Sequence, residues 1–145
     1  MVITYGNLCI LDLGDLTKNK ELRLACPRNL IGTVDLFVVT HRGYTESNAR
    51  AFVHAVHPRV AIMDNGAHKG ASPDAWQTVH DSRGLADLWQ LHYAVEGGKA
   101  RNVAADFIVN PEEKCEGELI KVAAEADGTI TVTNGRTGFT KTYNK

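Results

Sequence analysis

Three short apolar runs set the terms on which this chain can fold. They lie within residues 2–13, 34–40 and Arg59–Met63, and from Leu8 to Leu13 and Leu36 to Val39 they show little alternation. A run without alternation reads as a strand covered on both faces, the pattern of parallel sheets in α/β proteins. Each run also ends abruptly in polar residues: Asp12, Gly14 and Asp15 after the first, His41, Arg42 and Gly43 after the second, and Asp64-Asn65-Gly66 after the third. In open α/β sheets the carboxyl ends of the strands are where ligands and catalytic side chains gather.

Helical stretches separate these runs. Thr17 is a candidate N-cap for a helix over about 17–25, with Leu22, Ala25 and Cys26 inward and Pro27 as its stop. Ala49, Phe52, Val53 and Val56 recur at helical spacing within 47–57, and Pro58 closes that segment. Ser72-Pro73-Asp74 combines a cap, a first-turn proline and an acid suited to the helix dipole, and leads a helix carrying Trp76 and Val79. A fourth strand is expected over Asp87–Val95 and a further helix over 102–109. From Glu118 the period changes to two: Ile120, Val122 and Ala124, a turn at Asp127-Gly128, then Ile130 and Val132, and a last strand with Phe139 and Tyr143. The expected architecture is one α/β domain over 1–145: a mixed sheet with helices on one face and a C-terminal antiparallel meander.

Composition narrows the function classes. With 16 Lys and Arg against 17 Asp and Glu the formal net charge is −1, and no basic cluster marks a nucleic-acid footprint. No apolar run reaches the length of a membrane span and no leader pattern opens the chain, so a cytoplasmic, membrane-free protein is expected. Cys9, Cys26 and Cys115 are odd in number and widely spaced, which fits small buried thiols better than a disulfide framework or a cysteine zinc site.

Of the six histidines, His54 and His57 lie opposite an apolar helical stripe, His80 sits near a helix end, and His92 lies inside a strand. His41 and His68 differ, because both follow predicted strands on the same rim. Asp15, His41, Asp64 and His68 are ligand types that zinc or manganese prefers, although no two of them fall at a local metal spacing. Arg42, Asp64, Asn65, His68 and Lys69 are the candidate ligand contacts of this rim, and in a small α/β ligand-binding domain the Asp64–Gly70 loop is the expected contact region. No nucleophile elbow or phosphate-binding loop is present, and no catalytic residue is assigned.

The order of motifs resembles the metallo-β-lactamase fold. The resemblance rests on a strand ending in Leu13-Gly14-Asp15, a helix, a strand ending in Thr40-His41-Arg42-Gly43, and Pro58-Arg-Val-Ala-Ile62. It covers nearly all of this chain but only the C-terminal half of a family member. It implies that Asp15 matches the Asp that bridges two metals and that His41 matches the first His of a His-His-Gly motif, whose second position is Arg42 here. The family's His-x-His-x-Asp-His motif is absent, so Asp15 and His41 form an incomplete ligand set. What the resemblance implies is a stand-alone half of the αββα sandwich, a non-catalytic binding or structural module without a cofactor. The alternative is a metal-dependent hydrolase, with zinc or manganese, completed at an oligomer interface or by a partner chain. A half sandwich would also leave one sheet face open, and from this a homodimer or higher homo-oligomer through that face is expected.

Overall fold

A computed structural model describes the whole chain, Met1–Lys145. Six strands form one sheet: β1 (Val2–Tyr5), β2 (Leu8–Asp12), β3 (Leu36–Val38), β4 (Val60–Met63), β5 (Asp87–His92) and β6 (Ile108–Asn110). Their order in the sheet is their order in the chain. β1 and β2 are antiparallel, and every later neighbour is parallel. Three helices connect the parallel strands: α1 (Lys18–Ala25), α2 (Arg50–Val56) and α3 (Pro73–His80). Sequential order with crossovers of one hand places all helices on one face. No helix is long and apolar enough to cross a membrane.

The strand register sorts the side chains into two cores. Leu11, Phe37, Ala61 and Leu88 lie side by side across β2 to β5. They pack with Phe52, Val53 and Val56 of α2 and Trp76 and Val79 of α3 in a cluster of 16 buried residues. One residue along each strand, side chains point to the opposite face. There Leu36, Val60, Ile62 and Trp89 meet Ile130, Val132 and Tyr143.

Those last three residues belong to a second sheet of three antiparallel strands: β7 (Ile120–Ala124), β8 (Ile130–Asn134) and β9 (Thr140–Tyr143). The meander therefore lies over the face of the large sheet that the helices leave free. This corrects the expectation of an open sheet face: the chain covers that face with its own C-terminal residues, so it is not free for sheet-on-sheet pairing of two copies. Inside this second core the Trp89 indole donates to the Tyr143 hydroxyl at 2.9 Å. At one end, the Asn7 amide donates to the Ala126 carbonyl at 2.8 Å. Gly6 (φ +55°) packs so closely there that any Cβ would overlap the Ala126 carbonyl.

Three further expectations are corrected. The segment 102–109 is not a helix but a 3-10 turn at Ala105–Phe107 followed by β6. Asn102 explains why: its side chain accepts from the Ala94 amide at 2.7 Å and donates to the Ala94 and Gly98 carbonyls. An Asn that bonds neighbouring backbone in this way competes with helix formation. The fifth strand ends at His92 rather than Val95. The cysteines are not buried: Cys9 is half-buried, and Cys26 and Cys115 are exposed, one just past α1 and the other in the polar loop after β6.

Candidate functional site

The carboxyl ends of β2, β3 and β4 face the same side, because these strands are parallel and adjacent. The turn after β2 is built around Gly14, whose amide donates to the Asp12 carboxylate at 2.9 Å. Its positive φ of +55° is what glycine adopts freely, and no other group crowds it. Asp15 follows on the surface.

The turn after β3 is the most unusual stretch of backbone in the molecule. His41 (φ 54°, ψ 43°), Arg42 (φ 53°, ψ 18°) and Gly43 (φ 79°) are successive left-handed residues. For a residue with a Cβ this conformation costs about 1 to 2 kcal/mol. Four backbone hydrogen bonds hold it. The His41 amide donates to the Gly14 carbonyl at 2.9 Å, and the His41 carbonyl accepts from Tyr44 at 2.9 Å. The Arg42 and Gly43 carbonyls accept from Ala71 and Ser72, each at 2.8 Å. The loops after β2 and β4 thus clamp the turn after β3 from both sides.

The clamp fixes the His41 ring as well. Its Nδ1 lies 3.3 Å from the Ser47 hydroxyl oxygen, and the Ser47 hydroxyl donates its only proton to the Leu16 carbonyl at 2.7 Å. Ser47 can therefore only accept from His41, so the His41 Nδ1 is the donor of this pair. The ring leans on Tyr44, with centroids 4.9 Å apart.

Beneath the turn is a polar layer that sequence patterning did not reveal. Glu21 of α1 is fully buried and accepts from the amides of Asn48 and Ala49, at 3.0 and 2.8 Å. Asn48, itself left-handed at φ 63°, donates its side-chain amide to the Thr40 carbonyl at 2.9 Å. The only sequence signal for this layer is an acid on a helix whose neighbours Leu22 and Ala25 are apolar.

After β4, Asp64 is drawn into the same electrostatic field. Partial burial raises its carboxyl pKa above the ordinary aspartate value, Asp12 and Asp15 push it further up, and Arg42 pulls it down. Asp12, Asp15 and Arg42 thus all act on the Asp64 carboxyl through their charge. Asn65 does not point outward: it is fully buried and donates to the Gly66 and His92 carbonyls at 3.1 and 2.9 Å, fastening the loop to β5. His68 and Lys69 are exposed, and the His68 Nε2 meets the Glu113 carboxylate at 3.0 Å rather than joining Asp15 and His41. No three His, Cys, Asp or Glu side chains converge as a metal-binding group anywhere in the chain. The rim quartet of Asp15, His41, Asp64 and His68 is thus not assembled.

The fold and the rim together define an α/β protein whose polar groups gather at the carboxyl edge of a parallel sheet. No protein-family model matches the chain, and no curated protein or solved structure matches it.

Proposed function

We propose that the chain is a metallo-β-lactamase-like C-terminal half acting as a non-catalytic binding module, with its contact surface on the rim around His41 and Arg42. The observation that carries this reading is the pair of consecutive left-handed non-glycine residues at the end of β3. Strained backbone of this kind persists where the surrounding structure over-determines it, and it collects at ligand sites. Here it holds His41 and Arg42, whose charge acts on the Asp64 carboxyl, at the carboxyl end of β3. Asp15 and His41 are the residues of this rim that would contribute to a zinc or manganese site. Zinc takes three or four protein ligands, so any complete site would draw the others from elsewhere.

A second reading has one observation in its favour. The hydrogen bond from the His41 amide to the Gly14 carbonyl sets Asp15 and His41 on directly joined turns. A metal-dependent hydrolase whose ligand set is completed by a partner chain or at an oligomer interface would use that arrangement.

Backbone amide NMR separates these readings, with zinc chloride and inorganic phosphate as probes. Weak, saturable shifts confined to 12–15, 40–44 and 64–71 are the expected result. Shifts centred on the opposite edge, near Asp35 and Arg59, would overturn the rim as the contact surface. Zinc-dependent hydrolysis of bis(p-nitrophenyl) phosphate that disappears in Asp15→Ala would replace the first reading with the second.

A further inference from the structure

β1 is the outermost strand of the large sheet, and its outer side has no partner within the chain. The phase of the ladder decides which backbone groups are free there. The Asp12 amide donates to the Met1 carbonyl, while on the other side of β2 the Cys9 carbonyl accepts from Asp35 at 2.8 Å. Leu8, Ile10 and Asp12 therefore direct their backbone groups to β1, and Cys9 and Leu11 direct theirs to β3. In an antiparallel ladder, bonded and non-bonded pairs alternate. Ile3 and Tyr5, opposite Ile10 and Leu8, are the bonded residues of β1. The amides and carbonyls of Val2 and Thr4 point outward.

The side chains of this edge are apolar and open. Met1, Val2, Ile3 and Tyr5 are 68, 48, 40 and 54% exposed. Soluble proteins ordinarily blunt such an edge with charge, proline or a bulge. Val2-Ile3-Thr4-Tyr5 has no charged residue and no proline, and its register with β2 is unbroken.

We propose that β1 pairs with β1 of a second copy, antiparallel about a two-fold axis through Ile3, so that the two six-stranded sheets become one. The geometry is self-complementary. Val2 stands opposite Thr4 of the other copy, and the symmetric pair repeats this, so every outward amide and carbonyl finds a partner. Ile3 meets its own counterpart in a non-hydrogen-bonded pair, where Cα atoms approach to about 4.5 Å. Met1, Ile3 and Tyr5 share the face on which Ile10 packs against the meander core, so their contacts extend that core across the axis. A two-fold interface needs one patch that fits itself, and this strand supplies it. It carries no charge with which to select a different strand. The proposal does not depend on the rim or on any metal.

The test uses cysteine cross-linking in a Cys26→Ser, Cys115→Ser background. A non-hydrogen-bonded antiparallel pair matches disulfide geometry, so Ile3→Cys is expected to form a disulfide-linked dimer under mild oxidation at least about tenfold faster than Val2→Cys, which faces Thr4. Sedimentation velocity of the unmodified chain is expected to show a dimer that Ile3→Lys converts to a monomer with an unchanged circular dichroism spectrum. A monomer at all concentrations up to the high micromolar range overturns the proposal. So does equal cross-linking of Ile3→Cys and Val2→Cys, which signals random collision.

Discussion

Glu21, on α1, holds its carboxylate 2.8 Å from the backbone nitrogen of Ala49, at the start of α2. One helix thereby caps the next through a side chain rather than through its own first residue. Ala49 is the residue preceding α2 and has no side chain able to cap. The Glu21→Ala variant leaves the Asn48 and Ala49 amides buried without an acceptor, and each such loss costs about 1 to 3 kcal/mol. Urea denaturation is expected to show a loss of about 3 kcal/mol, with Glu21→Gln retaining part of it.

The same carboxyl makes stability depend on pH. Burial raises the Glu21 pKa above its ordinary value, outweighing the two amide donors that favour the charged form. Between the unfolded and folded pKa values the native state binds the extra proton, so stability falls as pH rises. The contribution is complete below the unfolded pKa and is lost as pH passes through the folded one. Relative to Glu21→Gln, the unmodified chain is expected to lose stability as pH rises from about 4 through the raised pKa. A difference that stays flat over that window would show that Glu21 does not titrate as described.

Arg42 occupies a backbone conformation that glycine adopts freely. Replacing it relieves about 1 to 2 kcal/mol of strain and adds about 0.4 to 1 kcal/mol of unfolded-state entropy. Arg42→Gly is therefore expected to raise the unfolding free energy by about 0.5 to 1 kcal/mol while weakening whatever the rim binds. Gly70→Ala is expected to act in the opposite direction, because its Cβ would overlap the Arg42 carbonyl and its φ is +78°. Thermal melts of both variants check the sign of each effect.

The meander is fastened by Tyr143. Burial pushes its phenol strongly upward, with Asp87 adding to the shift, so the hydroxyl remains protonated and available to Trp89. Tyr143→Phe leaves the Trp89 indole N–H buried and unpaired, at a cost of about 1 to 3 kcal/mol. Chemical denaturation followed by tryptophan fluorescence measures it. An unchanged midpoint would mean that the second core does not depend on this bond.

Much of this architecture was legible in the residues. Leu11, Phe37 and Ala61 lie in runs whose lack of alternation announced strands covered on both sides, and Phe52, Val53 and Val56 announced the inner face of α2. The meander was legible as hairpins, but a period of two says only that one face is buried, not against what. Ile130 and Val132 could equally have packed on another copy, and the covering of Leu36, Val60 and Trp89 therefore appeared only in three dimensions. The rim was legible as Asp15, His41, Arg42 and Asp64 because each follows an apolar run. Its supports were not. Glu21 is a charged residue in full burial, satisfied by backbone amides 27 and 28 residues away, and such pairing leaves no local pattern. Asn65 read as a loop contact because polar loop residues usually face water, whereas its amide is spent on the His92 carbonyl. Asn102 binds the Ala94 and Gly98 backbone in place of opening the helix that the surrounding composition allowed.

On the proposed reading, the rim around Asp15 and His41 carries part of a metal site and no complete one. Metal content of the untreated protein, measured per chain by mass spectrometry of the dissolved sample, tests it most directly. Zinc and manganese are expected well below one ion per chain, with no further change in Asp15→Ala or His41→Ala. One tightly held ion per chain, lost in either variant, would contradict it.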